Sequence, residues 1–154
     1  MAQLLLLPLL FLAFIASDCG GDDLPRAVGA THAVVTVSAE GRSARVVVEI
    51  AATEKQRQQG LMLRQSMDED AGMLFLFPAD TTVGFWMHNT YIPLDIAYID
   101  VSGSVLEIRK AEPLNDTSLT PRGPYRYTLE VNQGWFERHG LGPGARVTLP
   151  SGLP

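Results

Sequence analysis

The stretch that most constrains the fold is residues 83–99, which joins an aromatic run, a polar corner and a second apolar run. The Phe-Trp-Met sequence at 85–87 suits a half-buried strand, and His-Asn-Thr at 88–90 forms the polar corner. Pro93 can begin the next strand, where its missing N–H does no harm. The stretch therefore predicts a strand, a turn and a strand. Asp95 lies in the second strand among aliphatic residues, so its carboxylate needs a partner.

The rest of the chain repeats this pattern of short β-rich segments separated by turns, with about eight strands spaced as in barrels and sandwiches. Two segments differ. Thr53 and Gln56 form a capping box, which predicts a helix near 54–59 that ends at Gly60, and 134–139 predicts a second short helix. No β-α-β alternation is visible. The pattern predicts a mainly β fold at 33–150, a compact antiparallel barrel or sandwich with two short helices.

The N-terminal segment predicts export. Residues 4–16 are apolar throughout, too few to cross a bilayer, which takes about 20 residues, but suited to the apolar core of a secretory signal. Cys19 follows and resembles the cysteine of a bacterial lipoprotein signal, although Asp18 departs from the small residue usual before it. We expect residues 1–19 to be a lipoprotein-type signal peptide with Cys19 lipidated, and 20–32 to be a flexible tether. The chain would then be periplasmic or anchored to the membrane by its lipid; the alternative is plain secretion after cleavage nearby.

Charge and motifs exclude several classes of function. The net charge of −5 comes without a cluster of Lys and Arg, which argues against a nucleic-acid partner. Cys19 is the only cysteine, so no intramolecular disulfide supports the fold. The sequence contains neither a Gly-x-Ser-x-Gly nucleophile elbow nor a phosphate loop. We therefore predict no cofactor and assign no catalytic residue.

Ordered motifs across most of the chain resemble the family known as domain of unknown function 192. They are Gly60-Leu61-Met62, Gly72-Met73-Leu74-Phe75, Phe85-Trp86-Met87-His88-Asn89-Thr90, Pro93-Leu94-Asp95 and Leu129-Glu130-Val131-Asn132-Gln133-Gly134. The resemblance covers about residues 33–150 and implies a compact, mostly β domain, often exported, with no established activity. The family usually carries Lys where this chain has His88, so the resemblance assigns His88 no shared role.

Seven polar or aromatic side chains from separate elements form a candidate ligand pocket. Arginine offers a rigid fork of donors for carboxylate or phosphate, and tryptophan offers a flat face typical of small-ligand sites. The candidates are Arg57, Arg64, Trp86, Asn89, Asp95, Glu130 and Asn132. The alternative is that these groups pair only with one another and serve the fold.

The favoured function is an uncharacterised exported domain that binds a small molecule or a cell-envelope component. One alternative is a carbohydrate-type hydrolase that uses Asp95 and Glu130 as its two carboxylates. Another is a purely structural scaffold. Copper binding by soft ligands is a weaker hypothesis, resting on Met62, Met67, Met73, Met87 and His88. Methionines beside Leu and Phe usually fill a core, so we predict no metal.

Overall fold

The computed structural model of the chain describes residues 32–151. Within this range it contains seven strands and two short helices, which confirms the mainly β prediction. In chain order the elements are β1 (His32–Ala39), β2 (Arg42–Ala51), α1 (Glu54–Gln59), β3 (Ala71–Thr81), β4 (Leu94–Ile99), β5 (Val105–Ala111), β6 (Tyr125–Asn132), α2 (Trp135–Arg138) and β7 (Arg146–Thr148). The signal segment and Cys19 lie outside the described residues.

All seven strands belong to one sheet, in the order β5-β4-β6-β3-β2-β1-β7. The pairs are antiparallel except β2 and β3, which run parallel. Their connection passes through α1, so the sheet is mixed and contains one β-α-β crossover that the sequence did not predict. The strand predicted at the Phe-Trp-Met sequence 85–87 is not formed, because β3 ends at Thr81 and Phe85 makes only an isolated bridge with Leu119.

The sheet curls into a half-barrel because its two edge strands meet at one end. Val105 donates its N–H to Ala145 (2.8 Å), and Val147 donates its N–H to Gly103 (2.7 Å). Gly103 has φ +85°, and a Cβ there would lie 2.5 Å from the Val147 carbonyl oxygen, so this closure requires glycine. Aliphatic residues from all seven strands fill the concave side and form the inner core, which also holds Trp135 and Phe136 of α2.

A second hydrophobic cluster, the outer core, covers the convex face of the sheet. Its buried residues include Met73, Phe75, Ile96 and Tyr98. Segments between the strands cover it, and two tyrosines attach them: the Tyr98 hydroxyl donates to the Leu119 carbonyl, and the Tyr125 hydroxyl donates to the Val83 carbonyl at 2.7 Å. This cover leaves a cleft beside α1, which is the candidate site.

Helix α1 confirms the local prediction closely. Thr53 is its N-cap and the reciprocal capping box with Gln56 is formed. No helix in the range 32–151 has the length and apolar character needed to cross a membrane.

Candidate functional site

A cleft of about 310 Å³, including the part open to solvent, lies on the convex face of the sheet. One wall is the second half of α1 with the turn after it, residues 57–62, and the other wall is residues 85–87 with Thr90. Strand residues form the floor: Phe75, Leu94 and Glu130. The cleft therefore lies between the polar helix and the aromatic stretch that dominates the sequence.

Glu130 is the polar group of the floor. It lies on β6, directly between Met73 of β3 and Ile96 of β4, and is 5% exposed. Among residues 32–151 no hydrogen bond or ion pair reaches its carboxyl group. Burial raises the pKa of Glu130 to about 8, because the apolar surroundings disfavour the charged form. At neutral pH the group is therefore mostly an uncharged carboxylic acid facing the cleft.

Arg57 supplies the positive charge of the cleft wall. Its Nη1 donates to the Leu76 carbonyl at 2.9 Å and to the Ala52 carbonyl, and its guanidinium lies 5.2 Å from the centre of the Phe77 ring. Within the described part of the chain, no carboxylate pairs with Arg57, and its Nε and Nη2 atoms make no hydrogen bond. These contacts hold the guanidinium in place, and its other donors have no protein partner within residues 32–151.

Trp86 forms the opposite wall and is 53% exposed. The indole stacks on the His88 ring, with centroids 4.9 Å apart and planes at 22°, and His88 Nδ1 lies 2.9 Å from an Asp116 carboxylate oxygen. Beside it Phe85 packs edge-on against Phe75 at 5.0 Å. The wall therefore presents a large aromatic surface that the core does not use.

Asp95 lies on the other face of the sheet, so the expectation that it meets Glu130 is wrong. Asp95 pairs with Val131 across β4 and β6, whereas its neighbour Ile96 pairs with Glu130, and adjacent strand residues point to opposite faces. Asp95 accepts a hydrogen bond from the Gly134 N–H at 2.9 Å. Burial raises its pKa more than the backbone N–H groups of Gly134 and Phe136 lower it. The hypothesis of a hydrolase that uses Asp95 and Glu130 as its two carboxylates is wrong for the same reason, because side chains on opposite faces of the sheet cannot act on one substrate bond.

The other three candidates are also used elsewhere in the fold. Arg64 forms an ion pair with Glu49 at 2.6 Å, with both side chains largely buried. Asn132 donates to the Asp68 carbonyl at 2.8 Å and so holds the loop before β3. Asn89 has φ +51°, and its carbonyl accepts the Leu63 N–H at 2.7 Å. Of the seven predicted residues, the cleft brings together only Arg57, Trp86 and Glu130.

Comparison with known proteins identifies the family. The profile of the domain of unknown function 192 family, DUF192, described as "Uncharacterized ACR", matches residues 35–149. The chain belongs to the DUF192 family. No curated protein matches it.

Two solved structures resemble this DUF192 chain. A protein from Sinorhizobium meliloti 1021, described as a "putative transcription regulator", has a TM-score of 0.77 and 38% identity, over 80% of this chain and 97% of its own. A protein of unknown function from Novosphingobium aromaticivorans DSM 12444 has a TM-score of 0.74 and 34% identity, over 77% of this chain and 85% of its own.

The cleft of this chain also contains residues that the sequence did not assign to a site. Leu61 and Met62 line its helical wall and Phe75 its floor. The sequence feature that indicates Leu61 and Met62 is the change from a polar helix to an apolar run directly after Gly60. Of the methionines in the copper hypothesis, Met73 and Met87 are buried in the outer core. In residues 32–151 no three His, Cys, Asp or Glu side chains lie close enough to hold a metal ion.

Proposed function

We propose that this DUF192 domain is a binding module for a small molecule, and that the cleft between α1 and the aromatic stretch is its site. The observation that carries the proposal is the Glu130 carboxyl, which is buried in the cleft floor with no partner among residues 32–151. Its oxygens are not sealed from the cleft, so a ligand that enters the cleft can bond to the carboxyl directly.

The lining of the cleft supports a small ligand. Small-molecule sites are mostly apolar with a few placed polar groups, and here Trp86, Phe85 and Leu61 line the cleft together with Glu130 and Arg57. The alternative is a purely structural role. It would not explain why Trp86 is 53% exposed at a cleft whose floor holds a carboxyl group without a protein partner.

We expect the ligand to raise the melting temperature of the full-length chain, because it binds the folded state. The screen covers sugars, organic acids, peptides and metals. The same hits are then measured on Glu130→Gln, and on Glu137→Gln as a matched control, since Glu137 is an exposed residue of α2. At a concentration of about 100 Kd a ligand adds about 2.7 kcal/mol, which shifts the melting temperature by several degrees.

The expected result is a shift in the wild type and in Glu137→Gln that Glu130→Gln loses or shows only at concentrations at least tenfold higher. Equal shifts in all three proteins would place the ligand elsewhere. A screen without any shift would favour the scaffold role.

We also propose that the domain works outside the cytoplasm, associated with the cell envelope through lipidated Cys19. The support is the sequence alone, an apolar run at 4–16 followed by the only cysteine. In a bacterial host Cys19→Ala should move the protein from the membrane fraction to the soluble exported fraction, because a lipid anchor contributes about 0.8 kcal/mol per buried methylene. Wild-type and variant chains that partition identically would count against lipidation.

A further inference from the structure

We infer that the ligand of the cleft is a small zwitterion of the amino-acid type, with its ammonium group on Glu130, its carboxylate on Arg57 and an apolar side chain against Trp86. This inference rests on the proposed function of the cleft and adds the chemical class of its ligand. It follows from three groups that line one cleft of about 310 Å³.

In its ionised form the Glu130 carboxyl accepts hydrogen bonds only, and a cation is its best partner. Its neighbours across the strands, Met73 and Ile96, offer no polar atom to the carboxyl. An ammonium group donates up to three hydrogen bonds and carries the opposite charge. Charge-assisted hydrogen bonds are about twice as strong as neutral ones, so an ammonium ion compensates this buried carboxyl better than a hydroxyl or amide.

Arg57 calls for an anion in the same ligand. A simple amine would enter a cleft that already contains the guanidinium charge, and like charges repel. The Nε and Nη2 donors of Arg57 have no partner within the described residues, and a guanidinium fork fits a carboxylate. The two carbonyls and the Phe77 ring already hold Arg57 in place, so little order is lost when it binds. A ligand with both charges matches Arg57 on the wall and Glu130 on the floor.

Trp86 sets the third requirement. Trp86 is 53% exposed, and Phe85 and Met62 continue the apolar surface of the cleft. Such a surface favours an aliphatic or aromatic side chain. The indole face also attracts a nearby ammonium group, which is consistent with a cation at the floor.

Binding should release a proton. At pH 7 the Glu130 carboxyl is mostly protonated, because burial raises its pKa to about 8. When an ammonium group docks, the carboxylic acid becomes a carboxylate, the amine keeps its charge, and the proton of Glu130 passes to the buffer. A neutral ligand, in contrast, would bind the protonated form and release none.

The test is isothermal titration calorimetry of the full-length chain at pH 7, in two buffers with different ionisation enthalpies. The probes are the twenty common L-amino acids, and each binder is compared with the amine that lacks its carboxylate and the acid that lacks its amine. We expect at least one apolar amino acid to bind at least tenfold more tightly than either analogue, with release of nearly one proton.

Variants assign the two charges. Glu130→Gln should weaken the amino acid at least tenfold and abolish proton release. Arg57→Lys should reduce the preference for the amino acid over its amine, whereas Arg45→Lys, on an exposed part of β2, should behave as the wild type. Should Glu130→Gln fail to fold, Trp86→Ala replaces it, because the exposed indole can be removed without opening the core, and it must weaken binding.

The outcomes separate this inference from the proposed function. A sugar, organic acid or peptide from the thermal-shift screen that binds in a Glu130-dependent manner, while no amino acid binds, would overturn the zwitterion and leave the binding module intact. An amino acid that binds without proton release would also overturn it. If no probe binds in a Glu130-dependent manner, both proposals fail.

Discussion

Glu130 makes the stability of the domain depend on pH. Its pKa is about 8 in the folded chain against an ordinary value of 4.5, so between these values the folded state keeps a proton that the unfolded state has lost. The unfolded state binds fewer protons in this window, and the free energy of unfolding therefore falls as pH rises from 4.5 to 8 and levels off above.

Glu130→Gln should remove this dependence. Glutamine is neutral at every pH, so the variant should gain stability relative to the wild type between pH 5 and pH 8, by up to a few kcal/mol. Urea unfolding of both proteins at several pH values measures the difference, and Glu137→Gln corrects for general charge effects. A difference between variant and wild type that stays constant across the window would contradict the buried, unpaired carboxyl.

At the scale of elements, Asp95 attaches helix α2 to strand β4. Its carboxylate accepts the Gly134 N–H at 2.9 Å, at the N-cap of α2, on the face of the sheet away from the cleft. Asp95→Ala should leave this N–H unpaired and lower the free energy of unfolding by about 1–3 kcal/mol. Urea unfolding measures the loss. Ligand binding should remain intact, and a variant of native stability that no longer binds ligand would place Asp95 in the site instead.

The features predicted from the sequence are those fixed by local residues. The capping box of Thr53 and Gln56 defines α1 within four residues, so its bounds were predictable. The parallel pairing of β2 with β3 was not, because it depends on contacts across the α1 crossover. Asp95 shows the same limit in the site: all six residues of β4 are buried, so no alternation of polar and apolar residues shows which face each one takes.

On the scale of the whole molecule, the two faces of the curled sheet have different roles: the concave face holds the inner core and the convex face carries the cleft. The concave face is closed by the contact between β5 and β7 and holds aliphatic residues from every strand. The convex face is covered by α1 and by the aromatic stretch, and the gap between these two covers is the cleft. Arg57, Trp86 and Glu130 come from separate parts of the chain, so the site exists only when the sheet and its cover are both formed.

The most direct test of this account is a carbon-13 NMR titration of the Glu130 carboxyl group, with and without the ligand that gives the largest shift in melting temperature. The account predicts a Glu130 midpoint near pH 8 in the free protein and a displaced midpoint when the ligand is bound. A Glu130 midpoint near 4.5 in the free protein, or one that the ligand leaves unchanged, would contradict the assignment of the cleft as the binding site.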